Sequence, residues 1–293
     1  MNTFKTLLLR EWMQHRFGWL LLGSVPLAIM IPLMTFGTIQ FDHEPPSTGL
    51  LALMMFAGYT LFLLALAGSA VAFLAPGLVR RDVQDRSIEF WTSLPTSHTA
   101  SVGATLVLNL LLMPLLVLAM AAVGGMVHAL IVVVRVYGVA GLGQIPWGAL
   151  LPVLLAGLAR LALGVVLGVL WASPLLLGAM AASAWLKRWG VPALGAVLGF
   201  GGLILDKAYN MPFVFDTIGA LGHHFFWAVV PTGMGNADFE GKPWPGGQLS
   251  AFPAWIWQDT KLVLADLASP LFVGAIATAA ACFALIVYRR ARG

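Results

Sequence analysis

Charge is what this sequence has least of. Lys, Arg, Asp and Glu make up 10% of its 293 residues, against roughly 25% in a soluble globular domain. So few ionic groups cannot cover a water-soluble particle of this size, which excludes an ordinary soluble fold. Cysteine is nearly absent as well, with Cys282 standing alone inside an apolar run. An intramolecular disulfide is therefore excluded, and the position reads as a packing residue with no thiol chemistry attached. Long basic tracts are missing, which removes the footprint of a nucleic-acid partner. The chain also lacks a G-x-x-x-x-G-K-[ST] phosphate loop, so it carries no ATPase motif of its own.

What is present is apolar length. Hydrophobic residues are 60% of the chain, in runs longer than a core helix needs; about 20 of them cross a hydrocarbon layer about 30 Å thick. The expected fold is all-α: one polytopic transmembrane domain over residues 1–293 with six spans. These are placed at 17–40, 50–79, 100–134, 150–185, 191–205 and 262–288. Lys5, Arg10 and Arg16 precede the first run, but no small-x-small cleavage site follows it closely, so it reads as a retained span. Before it, Phe4, Leu7, Leu8 and Trp12 fall at i, i+3, i+4 and i+8, with Lys5, Thr6, Arg10, Glu11 and Gln14 mostly elsewhere on the wheel. That spacing predicts an interfacial helix over 2–16; the alternative is a simple extension of the first span.

Basic residues set the orientation. With both termini in the cytoplasm, Lys5, Arg10, Arg16, Arg80, Arg81, Arg86, Lys187, Arg188, Arg289, Arg290 and Arg292 lie inside, 11 of the 16 Lys and Arg. A seventh crossing through 212–231 would reverse the last cluster and bury Asp216, His223 and His224 in lipid. Spans three and four exceed one crossing, so they tilt or project. Counting back from Trp185 puts Arg160 about 37 Å up span four, near the outer boundary. Asp206 and Asp266 reach the same level, so Arg160 is expected to pair with one of them or to snorkel alone. Gly164–Gly168 and Gly195–Gly199 match small-xxx-small spacing, which lets helices approach closely.

The charged stretch 80–99 lies between spans two and three. Within it Asp85 or Ser87 can cap a short helix and Pro95 ends it. The helix carries Ile88, Phe90, Trp91 and Leu94 among charges, including Glu89. Such a cluster suits either a partner's groove or lipid headgroups. The segment resembles the loop between the second and third spans of ABC-2 type exporter permeases. There a pattern close to D-R-S-I-x-F-W-x-S-L-P-x-S forms the coupling helix that docks into an ATPase subunit. Asp85, Arg86, Ser87, Ile88, Phe90, Trp91, Ser93, Leu94, Pro95 and Ser97 match it. A weaker match is Trp171-Ala172-Ser173-Pro174 followed by Ser183-Ala184-Trp185 and a basic turn.

The resemblance implies a permease of the bacterial plasma membrane, working as two permeases with two ATPases. It implies no cofactor in this chain, with ATP and Mg bound by the partner subunit. The region 206–261 departs from the pattern, being longer than a minimal re-entrant pair. Its tryptophans and prolines predict short re-entrant or surface helices at the outer end, an ordinary loop on headgroups being the alternative. Two other functions remain open: an intramembrane enzyme using His223, His224 and Asp216, and a membrane scaffold. No metal site is expected, since adjacent histidines diverge on a helix and no carboxylate lies one turn away.

Overall fold

The computed structural model describes residues 3–41, 44–84, 97–231 and 249–292. Among the described residues there is no strand. The helices are α1 (Thr3–Phe36), α2 (Thr48–Gln84), α3 (His98–Leu106), α4 (Met113–Tyr137), α5 (Trp147–Leu186), α6 (Gly190–Tyr209), α7 (Phe213–Val229), α8 (Phe252–Ala265) and α9 (Pro270–Ala291). Five stretches are long and apolar enough to cross a membrane: Phe4–Phe36, Thr48–Val79, His98–Tyr137, Trp147–Tyr209 and Pro270–Ala291. The chain is therefore an all-helical protein with the build of a multi-pass membrane protein.

The fourth stretch is two helices back to back. After Leu186 a 3-10 turn, Lys187–Trp189, reverses the chain, with Lys187 in the left-handed region at φ 55°. Gly190 then presses on the backbone of Ala182 and Ser183, where any side chain would collide. Further along, Gly178 faces Leu194, so α5 and α6 run antiparallel.

α3 passes into α4 through a π-helical turn, Val107–Leu112. Pro114 supplies the physical reason. It has no N–H for the carbonyl four residues back, and its ring crowds that carbonyl. The ladder slips instead, with the Met113 N–H donating to the Leu108 carbonyl five residues back.

Among the described residues two large apolar clusters, with two smaller ones beside them, hold the bundle. One joins Trp19 of α1, Leu63 of α2, Val117 of α4, Met180 of α5 and Ile286 of α9. The other joins Phe56 of α2, Val132 of α4, Val153 of α5 and Ile256 of α8. Large apolar side chains also point outward, among them Phe17, Ile29 and Phe36 on α1 and Val197, Phe200 and Ile204 on α6. That is the surface lipid asks for, because apolar groups are not driven inward in a bilayer.

Two expectations need correction. The interfacial helix 2–16 and the first span are one continuous helix, α1, and Arg10 and Glu11 are buried instead of lying on a polar outer face. They can be buried because they pair: the Arg10 guanidinium donates to the Glu11 carboxylate, and His15 stands 3.9 Å from the same carboxylate. The last span does not start at 262. α8 ends at Ala265, a 3-10 turn Asp266–Ala268 follows, and Ser269 caps α9, its Oγ accepting from the Phe272 N–H at 3.2 Å. Pro270 at the first helical position suits that start.

Candidate functional site

The expected docking residues, Asp85, Arg86, Ser87, Ile88, Glu89, Phe90, Trp91, Leu94 and Pro95, lie outside the described residues. Their frame is described. α2 runs to Gln84, and Ser97 caps α3, its Oγ accepting from the Ala100 N–H at 3.2 Å. Arg289 lies over the Trp185 ring at 5.8 Å, so α5 ends and α9 ends side by side. At the opposite end of the bundle the connections interlock. Arg135 donates to the Gly37 carbonyl at 2.8 Å, Tyr137 to the Pro46 carbonyl, and Thr48 to the Gln144 carbonyl at 3.0 Å.

The most heavily built polar site centres on Arg160 of α5. Its side chain is 1% exposed, and that of Asp259 on α8 is 2% exposed. Arg160 Nε donates to Asp259 Oδ2 at 2.7 Å, Nη1 to the Ala228 carbonyl at 2.6 Å and Nη2 to the Trp227 carbonyl at 3.1 Å. The two carbonyls belong to the last turn of α7, which has no N–H groups of its own helix left to accept from. A cation there also meets the negative end of the helix dipole. One guanidinium thus neutralises a carboxylate, caps a helix and ties α5, α7 and α8 together. Gly164 makes the approach possible: a Cβ there would sit 2.6 Å from the Ala228 carbonyl oxygen. Gly168 is similarly covered by Val229 and Phe225. The second glycine pair, Gly195 and Gly199, faces open space on α6.

Arg160 therefore pairs with neither Asp206 nor Asp266, the partners expected from helix counting. Asp206 pairs with Lys207 at 2.8 Å, beside it on α6. Asp266 sits 3.4 Å from Nδ1 of His224. The correction has a simple cause. α8 is a separate helix, and its inward face carries Ile256, Asp259, Thr260 and Val263 at i, i+3, i+4 and i+7, so Asp259 is the carboxylate aimed inward. That spacing is legible in the sequence, but a Trp- and Pro-rich connection concealed it.

Of the histidine group, His224 stacks on the fully buried Trp171 at 4.3 Å and faces Asp266, while His223 meets the rings of His224 and Trp227. Asp216 lies in the first turn of α7, two turns before His223. No group of three or more metal-ligating side chains occurs among the described residues. Comparison with protein-family models, with curated proteins and with solved structures finds no match.

Proposed function

We propose that the chain is the transmembrane permease subunit of an ATP-binding cassette exporter in a bacterial plasma membrane. It crosses six times with both termini in the cytoplasm and moves an amphipathic or lipidic cargo. The observation that carries this reading is the sequence Asp85–Ser97, a charge-rimmed apolar helix pattern set between the ends of two membrane-length helices. The rest of the layout supports it: a multi-helix apolar bundle, and two short helices, α7 and α8, pinned to one end by Arg160. The energy source is a separate ATPase subunit that binds ATP and Mg and docks on Asp85–Pro95. ATP binding on that partner biases a two-state bundle from outside the membrane. A second permease copy completes the assembly.

The enzymatic alternative built on His223, His224 and Asp216 has less support, because the carboxylate facing His224 is Asp266. Copurification tests the proposal. The wild-type chain brings down an ATPase subunit, and Phe90→Glu with Trp91→Glu abolishes that association and ATP-driven transport while helicity is kept. Unchanged association and coupled hydrolysis in that double variant would sink the assignment. Loss of activity on His223→Ala with indifference to Trp91 would favour the enzyme.

A further inference from the structure

The π-helical turn leaves a groove on the surface of the bundle. It holds about 370 Å³ between the first three turns of α1 and the α3–α4 junction. Leu8, Leu9 and Trp12 form one wall, Leu108, Leu112 and Leu116 the other, and Lys5 stands at one end. Its lining is apolar apart from Lys5. π-helical turns occur disproportionately at functional sites, and the Arg160 staple does not use this one.

The depth of the groove follows from packing. α1 and α3–α4 run parallel, since Gly23 lies against Met120 and the Gly37 carbonyl accepts from Arg135. Lys5 is then within about two turns of the Ser97 cap, at the end of the bundle that also carries Lys187, Arg188 and Arg289. From Lys5 the wall rises about 10 Å to Trp12, and the facing wall covers about 12 Å. One leaflet of hydrocarbon is about 15 Å deep. The groove therefore starts at Lys5, at the cationic end of the bundle, and runs most of one leaflet toward the bilayer centre.

We infer that this groove is a binding site for an anionic phospholipid, one acyl chain lying between α1 and the π turn and the phosphate on the Lys5 ammonium. Large flexible side chains line it, where a packed second helix would call for Gly, Ala or Ser. A cation at the headgroup level selects a negative headgroup. The site is independent of any ATPase and of the direction of transport.

The test uses the full chain reconstituted in nanodiscs of phosphatidylcholine, with or without phosphatidylglycerol, then released for native mass spectrometry. The wild type retains phosphatidylglycerol over phosphatidylcholine by about fivefold, the preference one lysine at a charged surface supplies. Lys5→Arg keeps that preference. Lys5→Glu erases it while a lipid is still retained, and Leu112→Trp, which fills the groove, lowers retention of both lipids. An unchanged preference in Lys5→Glu overturns the inference. So does undiminished retention in Leu112→Trp, or a wild-type dimer that holds no lipid and dissociates in Leu112→Trp, which assigns the groove to a second copy. Should Leu112→Trp fail to fold, the two exposed Lys5 variants still decide the matter.

Discussion

Arg160 shows how much one side chain can organise in a chain this poor in charge. Its guanidinium has the fixed fork that lets it serve a carboxylate and two carbonyls together. A buried ion pair is weak evidence of net stability, because desolvating both groups offsets most of their attraction. Breaking one side is a different matter. Arg160→Met leaves the Asp259 carboxylate buried without its guanidinium and the Trp227 and Ala228 carbonyls without their donor. The expected loss is about 3–5 kcal/mol, read as a large fall in the thermal unfolding midpoint in detergent. Arg160→Met combined with Asp259→Leu removes the buried charge and recovers part of that loss. The recovery is incomplete, since two carbonyls remain unpaired at about 1–3 kcal/mol each. A double variant no more stable than Arg160→Met would show that Asp259 is not held by charge.

At the scale of the helix, identical glycine spacing means two different things. Gly164 and Gly168 on α5 are where α7 comes closest, whereas Gly199 on α6 has nothing within 4 Å. Gly164→Ala forces α7 and its carbonyls outward and should cost about 1–3 kcal/mol. Gly199→Ala gains helix propensity, up to about 1 kcal/mol, with nothing to displace. Parallel unfolding curves check the opposite signs, and a destabilising Gly199→Ala would mean that a second molecule packs on α6. The same contrast explains what sequence could reach. Long apolar runs mark helices well: the span expected at 150–185 lies within α5, Trp147–Leu186, and the one expected at 50–79 lies within α2, Thr48–Gln84. Breaks inside apolar sequence are harder, because hydropathy does not register hydrogen-bond punctuation. Ser269-Pro270 is a cap and a first-turn proline, yet it sits in a mostly apolar stretch, 262–288, read as one helix. The partner of Arg160 was hidden for a related reason, since Asp259 becomes a core residue only once 252–265 is seen as a helix with its own buried face.

For the whole molecule, the number of crossings depends on whether α7 traverses the bilayer or returns to the side it left. At 17 residues it is about 25 Å long, short of a full hydrocarbon core. Its contacts argue for a return. α5 and α6 are antiparallel, with Gly178 beside Leu194 and Gly190 beside Ser183, so Gly164 stands level with the last turn of α6. The start of α7 packs on Gly202 near that end of α6, and its last turn packs on Gly164. Both ends of α7 therefore belong to the same end of the bundle, and α8 joins them there through Asp259. α9 then runs back along the second half of α5, from Phe272 beside Trp171 to Arg289 beside Trp185. That path is the one the proposed topology needs, with six crossings and both termini on one side. Cysteine labelling tests the count cleanly, because Cys282 is the single native thiol and can be replaced by Ala. In intact cells an impermeant maleimide should label Gly143→Cys and Met211→Cys, and should reach Arg188→Cys and Arg292→Cys only after permeabilisation. Labelling of Arg292→Cys from outside, with Arg188→Cys still protected, would mean that α7 crosses after all. The basic cluster at Arg289–Arg292 would then face away from the cytoplasm, and the orientation of Asp85–Ser97 toward an ATPase would rest on Lys5, Arg10, Arg16, Arg80, Arg81, Arg86, Lys187 and Arg188.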